Sequence, residues 1–388
     1  MHLVSLAAVT WDFKLVGRTR MLTEAWQRAG QPTTFVQVPS YRTAAERLTS
    51  LLREADAVPV VRPWPTYPAR WWARLSRVRL ERGIRARARA LRRQLEGRVS
   101  WDQAAALVVS PLWTPWLDEL PFRRIIYDCI DDLAVHVPRP ELAGHYQQWE
   151  DELIARADGA VVVAEQLADG IRARRPELPI AVIRNGVDAD GFRSAAAAAP
   201  RPPDLPDSGR PIVGFVGALY DWLDWDLMRV VLQALPDCEF VFVGPHDNRG
   251  DLRAIANLPN AHLLGLRPYA QVPAYVQAFD VCWVPFKAGD VANAANPVKI
   301  YEYLALGKPV VTTPVADTGS FGDLVSVARA PAEVADCLQT ALTRRAPDSA
   351  KRQAFAAANS WSARAEAYVK FVSHLSGDAP PSKGARCA

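Results

Sequence analysis

Apolar and polar positions along the chain follow two alternating regimes. Short runs rich in β-branched residues are separated by longer stretches whose apolar residues recur at helical spacing, a pattern that predicts parallel sheets with helices on both faces. In the first half the runs fall at 3–10, 33–38, 57–61, 105–109, 124–128, 159–163 and 180–183. In the second they fall at 212–217, 239–243, 261–264, 281–284, 309–313 and 324–327. Each set suffices for one doubly wound sheet, so the expected fold class is α/β with two domains. Helical periods follow at 331–344, 349–358 and 361–375, and a polar tail, 376–388, reads as disordered. Between the two sets, residues 194–211 concentrate Ala, Pro and small polar residues, which is linker chemistry. The expected division is therefore a first domain over 1–193, a linker over 194–211, a second domain over 212–360, a terminal helix over 361–375 and the tail. No internal repeat at a fixed period is visible.

Length and charge sharpen this picture. A chain of 388 residues is too long for one ordinary domain, and its formal net charge is only +4. The charge is uneven, because between Arg70 and Arg98 the only acids are Glu81 and Glu96. There Ile84, Ala88, Leu91 and Leu95 recur at helical spacing, Arg85, Arg89, Arg92 and Arg93 take the other faces, and Trp71 and Trp72 precede them. Such a helix either lies at an anionic lipid interface or packs its apolar stripe on the protein and solvates its arginines. No RNA-binding or helix-turn-helix signature accompanies the charge, so nucleic acid is not an expected partner. The five cysteines are scattered without a Cys-x-x-Cys pair, which fits a reducing cytoplasm and no structural zinc. The N-terminus reads as a first buried strand and not as a signal peptide. No apolar run approaches the roughly 20 residues that span a bilayer, so any membrane contact is expected to be peripheral.

The most informative segment runs from Asn296 to Val311. Pro297 suits a helix start and Gly307 a helix end, which predicts about three turns between them. Val298 opens that helix, and Lys299 and Glu302, three apart, project from one side near its N-terminus, where free backbone N–H groups favour an anion. A nucleoside diphosphate fits there, with Lys299 against phosphate and Glu302 against the vicinal ribose hydroxyls. The alternative is a solvated i,i+3 salt bridge.

A second constellation is Arg124 to Asp132, an apolar strand ending in the carboxylates Asp128, Asp131 and Asp132. In open α/β sheets ligands bind beyond the carboxyl ends of strands, where an ionised Asp can act as general base. Asp128 and Asp132 could instead cap a helix or stop the strand. His136 is a reserve candidate, although a lone His is commonly a structural hydrogen-bonder.

Several of these segments resemble glycosyltransferases of the GT-B fold. Lys299-x-x-Glu302 followed by Gly307-Lys308-Pro309-Val310-Val311 is similar to their donor-site helix. Asn185-Gly186-Val187-Asp188 looks like the turn before their interdomain linker, and Val213 to Ala218 resembles the strand and loop opening the nucleotide domain. Trp11-Asp12-Phe13-Lys14 through Arg20 resembles the acceptor-side opening loop, and Tyr127 to Asp132 resembles a segment of teichuronic-acid-type enzymes and, more distantly, of the xanthan glucuronosyltransferase. The resemblance implies two Rossmann-like domains facing a cleft, with the C-terminal helix crossing back to the first. It implies a nucleotide-sugar donor, UDP by analogy, held by Lys299, Glu302, Gly217, Phe286, Leu264 and Val298. The acceptor, a glycan, lipid-linked or small molecule, would lie near Asp12, Arg18 and His136, and Asp131 would be the catalytic base.

Two departures matter. Retaining relatives carry a second Glu eight residues before the first, where this chain has Ala294, and they place Arg and Lys after the glycine near Gly217, where Tyr220 to Trp225 is acidic and aromatic. An available Asp without that Glu favours inversion. Asp188-Ala189-Asp190 and Asp224-Trp225-Asp226 match a metal-binding tripeptide of the other large glycosyltransferase fold, outside its context, so no essential metal and no cofactor beyond the co-substrate is expected. The alternatives are a sugar-nucleotide epimerase on the same fold, a two-lobed solute-binding protein, and a silent scaffold in glycan assembly.

Overall fold

The computed structural model describes residues 1–11, 13, 17–38, 58–63, 77–131, 140–246, 252–287, 289, 296–315, 317–343 and 348–375. The chain forms two units, Met1–Ile183 with Arg364–Ala388, and Arg184–Ala363. The expected tail, 376–388, lies outside the described residues.

In the first unit β1 (His2–Leu6), α1 (Arg18–Arg28), β2 (Thr33–Val36), β3 (Val60–Val61), α2 (Arg77–Leu95), β4 (Ala104–Val108), β5 (Arg124–Cys129), α3 (Pro140–Arg156), β6 (Gly159–Val162), α4 (Glu165–Arg172) and β7 (Ile180–Val182) follow in order. Their strands form one parallel sheet, β3-β2-β1-β4-β5-β6-β7. The second unit contains α5 (Ala189–Ala198), β8 (Ile212–Val216), α6 (Trp225–Ala234), β9 (Glu239–Val243), α7 (Arg253–Ala256), β10 (Ala261–Gly265), α8 (Val272–Ala278), β11 (Val281–Val284), α9 (Val298–Ala305), β12 (Val310–Thr312), β13 (Val325–Val327), α10 (Pro331–Thr343) and α11 (Ser349–Ala358). Its sheet is also parallel, β10-β9-β8-β11-β12-β13. Each run singled out by the hydrophobic pattern contains a strand, shortest at Val60–Val61, and the three late helical periods contain helices. Central strands such as β4 and β9 are buried along their whole length, which is why they read as continuous apolar runs.

The last helix, α12 (Trp361–Leu375), begins in the second unit and continues in the first. Within the first unit Tyr368 meets Trp26 edge to face at 5.3 Å, and the Trp26 indole N–H donates to the Ala365 carbonyl at 3.0 Å. At Gly159 even a methyl group would lie 2.6 Å from Leu375. The helix is therefore built into the first unit's core, and it supplies that unit with a fully buried Tyr368.

Residues 194–211 differ from a linker. The alanine run is the second half of α5, which is capped at its start by the Asp188 carboxylate accepting from the Gly191 N–H at 3.1 Å. Phe192, Ala196 and Leu205 are buried in the second unit's core, and Asp204 accepts from Arg267 at 2.6 Å and from Tyr275 at 2.9 Å. Alanine has the highest helix propensity, so the run extends a capped helix and Pro200 then ends it. The chain passes between units at Ile183 and again at Arg364.

In α2 the stripe Ile84, Ala88, Leu91 and Leu95 is buried in the first unit's core, against the turn Pro111–Trp116. Arg85 pairs with Asp118 at 3.2 Å, Arg89 with Glu119 at 2.8 Å and Arg92 with Glu96 at 3.4 Å. Burying each large aliphatic side chain contributes about 1.5–3 kcal/mol, whereas an exposed ion pair contributes roughly 0–1 kcal/mol. Packing thus holds the helix, and the apolar stripe has no face left for lipid. Trp71 and Trp72 lie outside the described residues. Among the described residues no helix is long and apolar enough to cross a membrane.

At the carboxyl ends of β8 and β9 two glycines meet. Gly244 has φ +158, and a Cβ there would sit 1.8 Å from the Gly217 carbonyl oxygen. Gly244→Ala should therefore destabilise the protein by about 2–4 kcal/mol, from steric overlap with backbone that has no rotamer to move. A shift of the urea midpoint measures this.

Candidate active site

The strand order of the second unit reverses between β8 and β11, where ligands bind in doubly wound sheets. β8 pairs with β9 through Val216 and Val243, but with β11 only at Val213 and Gly214. Beyond Gly214 the two strands part. The Val216 N–H, left without a partner on β11, donates to the Tyr303 hydroxyl at 2.8 Å, so a buried phenol wedges the opening. Gly217 follows with φ +149, and a Cβ there would lie 2.9 Å from Lys299 Cε. Only glycine lets backbone and lysine stem approach this closely.

α9 starts in this opening. Pro297 is its N-cap and offers no side-chain cap, so Val298 is the first helical residue; the Ile300 N–H turns back to the Pro297 carbonyl at 3.2 Å, which leaves the N–H groups of Val298 and Lys299 without an intrahelical acceptor. The helix is two turns long, shorter than the three turns expected. It ends where the Lys308 N–H donates to Tyr303 O at 3.0 Å and the Gly307 N–H to Leu304 O at 2.9 Å, with Gly307 at φ +70. That pair of bonds is a Schellman closure, and it needs the glycine.

The Lys299 ammonium sits over the rings of Phe215 at 4.9 Å and Phe286 at 4.7 Å. Phe286 is itself held by the Thr313 hydroxyl, which donates to its carbonyl at 2.6 Å. Among the described residues the ammonium has no carboxylate within ion-pair distance, and the i,i+3 bridge to Glu302 does not form. Burial lowers the Lys299 pKa to about 8, opposed by the nearby Glu302 charge. A cation between aromatic faces beside free N–H groups of a helix start is chemistry that complements an anion.

One turn further, Glu302 is buried and accepts from the Tyr269 hydroxyl at 2.7 Å. Burial pushes its carboxyl up, while Tyr269 and Lys299 pull it back down. Leu264 lies near the carboxyl end of the edge strand β10, where the ladder to β9 passes from Leu263 to Gly265 and skips it. The structure thus brings Gly217, Phe286, Val298 and Lys299 to one opening, with Glu302 one turn inside and Leu264 at the sheet edge.

In the first unit Arg18 and Asp128 form a buried pair, Nη2 to Oδ1 at 3.3 Å and Nε to Oδ2 at 3.4 Å. Burial raises the Asp128 pKa, and Arg18 and the neighbouring Tyr368 phenol lower it. Asp128 is therefore neither a helix cap nor a strand stop, and it ties the start of α1 to β5. Asp131 stands two residues past the carboxyl end of β5 and is half-buried. Asp12, Asp132, His136 and Ala294 lie outside the described residues. The two Asp-x-Asp tripeptides are both helix starts, with Asp188 capping α5 and the Asp224 carboxylate accepting from the Leu227 N–H at 3.0 Å.

Sequence reasoning missed Tyr269, Tyr303 and Thr313. Tyr303 carried a signal, a polar tip four residues after Lys299 on a helix whose neighbours are apolar. Tyr269 carried none, because its partner is 33 residues away.

Residues 210–344 match the family model described as glycosyl transferases group 1. A glycosyltransferase of Bacillus subtilis (strain 168) named for teichuronic acid biosynthesis is 29% identical over 205 residues, 50% of this chain and 51% of that one. The 2-deoxystreptamine glucosyltransferase of Streptomyces kanamyceticus is 28% identical over 208 residues, 48% of this chain and 51% of that one. The chain thus spans about half the length of the curated relatives it matches. Among solved structures, sucrose-phosphate synthase of Thermosynechococcus elongatus superposes with TM-score 0.73 over 97% of this chain and 100% of that one, at 16% identity. Anabaena HepE, solved with UDP and glucose, superposes with TM-score 0.69 over 96% of this chain and 99% of that one, also at 16% identity.

Two outcomes follow from the geometry. Asp128→Ala removes a buried charge partner of the Arg18 guanidinium and should cost about 3–5 kcal/mol, read by denaturant titration. At Lys299, a bound diphosphate holds the proton that burial disfavours. Diphosphate affinity is therefore full well below pH 8, falls as pH rises through about 8, and is accompanied by proton uptake just above that pH. Calorimetry in buffers of different ionisation enthalpy measures the uptake, and Lys299→Met should abolish it and weaken binding roughly ten- to a hundredfold.

Proposed function

We propose, from the group 1 glycosyltransferase domain at residues 210–344 and the GT-B fold that carries it, that this protein transfers a sugar from a nucleotide-sugar donor to a hydroxyl acceptor. The observation that carries the reading is the Lys299 ammonium, half-buried between Phe215 and Phe286 at the strand-order reversal without a counter-ion among the described residues. Its natural complement is the diphosphate of the donor. The N–H groups of Val298 and Lys299 add to the anion's stabilisation, and the bare backbone at Gly217 lets the phosphates approach. Phe286 packs beside the nucleotide, Glu302 takes the ribose hydroxyls, and the backbone at Leu264, outside the strand ladder, faces the base.

UDP is the favoured nucleotide, supported by HepE, solved with UDP and glucose. The acceptor is a glycan, a lipid-linked precursor or a small molecule. The names of the two curated relatives, one for teichuronic acid biosynthesis and one for glucosyl transfer to 2-deoxystreptamine, span that range. On the first unit Asp12, Arg18 and His136 are the acceptor-side candidates, although Arg18 already holds Asp128. Asp131 is the general base. It takes the acceptor hydroxyl proton while that oxygen attacks the anomeric carbon, the glycosidic bond to the diphosphate breaks, and the configuration inverts. Lys299 and the helix N-terminus offset the leaving-group charge, so transfer is metal-independent and should persist in chelator. A cytoplasmic setting supplies nucleotide sugars. Any contact with an anionic membrane is electrostatic, through the exposed arginines of α2, since its apolar stripe is buried.

Asp131→Asn should lower turnover by at least about a hundredfold and leave UDP affinity unchanged. UDP release assayed with and without acceptor extract separates transfer from its rivals. Release that needs acceptor supports transfer, consumption of donor without acceptor favours an epimerase, and no turnover of any nucleotide sugar favours a scaffold.

A further inference from the structure

Glu302 is buried, yet the group that holds it is the phenol of Tyr269 and not the ammonium one turn away. The phenol donates to Oε1 at 2.7 Å. Oε2 has no protein partner among the described residues, and it is not among the buried, unsatisfied atoms sealed from solvent. A carboxylate that reads a diol must be ionised and must point one oxygen outward. A phenol donating to the other oxygen favours both conditions, because it stabilises the acceptor form and removes the rotational freedom of the carboxylate.

Tyr269 is placed for this before any ligand arrives. It opens the short turn Tyr269–Gln271, which follows the carboxyl end of β10. Its ring leans on Phe192 of α5 at 6.4 Å between centroids, and Phe192 is buried in the same core. The turn and the helix fix the phenol independently of α9, so the hydrogen bond locks Glu302 from outside its own element.

We propose that Tyr269 is a positioning residue that makes the donor site selective for ribose over 2′-deoxyribose, by fixing Oε1 of Glu302 so that Oε2 accepts from the ribose hydroxyls. The inference rests on the functional reading above, which gives Glu302 the ribose. Removing the phenol hydroxyl frees the carboxylate to turn, and the ribose hydroxyl loses a fixed acceptor. A purely structural Tyr269 would weaken ribonucleotide and deoxyribonucleotide alike.

The test measures affinities of the full chain for UDP, GDP and ADP and for their 2′-deoxy counterparts, in wild type, Tyr269→Phe and Glu302→Gln. The ring of Tyr269→Phe keeps its contact with Phe192, and thermal melting of the apo protein checks that the fold is retained. Wild type should prefer the ribonucleotide it binds by about tenfold. Tyr269→Phe and Glu302→Gln should both bring that ratio close to one, with the affinity for the deoxynucleotide unchanged. A Tyr269→Phe variant that keeps the wild-type ratio, or that loses both affinities equally, overturns the proposal. So does a wild type indifferent to the 2′-hydroxyl while still binding nucleotide. Wild type that binds no nucleotide at all instead sinks the donor-site reading, and the inference goes with it.

Discussion

A cation held in a low-dielectric opening, without a counter-ion among the described residues, is the constraint around which the second unit is arranged. Lowering the Lys299 pKa from 10.5 to about 8 corresponds to roughly 3 kcal/mol disfavouring the charged form. Two aromatic faces offset a cost of that order, since each cation–π contact contributes about 0.5–2 kcal/mol. An exposed lysine would carry the same charge without the desolvation.

The opening exists because neighbouring groups keep it open. Tyr303 takes the Val216 N–H that β11 does not reach, Thr313 pins Phe286 under the ammonium, and the Gly217 and Gly244 backbones cross where no side chain fits. Asn296, just before α9, is likewise fixed from outside. Its Oδ1 accepts from the Asn185 N–H at 2.9 Å, and the Asn185 amide donates to its carbonyl at 2.5 Å. Strand, helix and crossing segment are thus joined by hydrogen bonds between residues distant in sequence. In the first unit the Arg18 and Asp128 pair does comparable work, joining α1 to β5 beside a tyrosine that arrives from the C-terminal helix.

Elements decided by local periodicity were legible. Buried parallel strands need apolar residues at every position, so runs such as Glu239 to Val243 announce themselves, and helix ends marked by Gly307 or Asp188 do so as well. The errors have specific causes. Proline and alanine density over 194–211 suggested a free linker, but a cap at Asp188 and buried Phe192 commit its first half to α5. The apolar stripe and arginines of α2 left a lipid surface and a protein core both open, since composition cannot distinguish the two partners, and packing fills the stripe with protein. Asp128 read as a cap or strand stop, and only packing made it a buried ion pair with Arg18.

The amino-acid sequence alone determined which segments become strands, that α9 lies between Pro297 and Gly307, and that a lysine and a glutamate lie one turn apart on it. These depend on interactions within a few residues, so local order carries them. Tertiary structure decided that Lys299 rests between Phe215 and Phe286, that Glu302 turns to Tyr269, and that Tyr303 holds the strands apart. Those partners come from different elements and meet only when two strands of a parallel sheet diverge, a separation set by strand order and not by any local pattern.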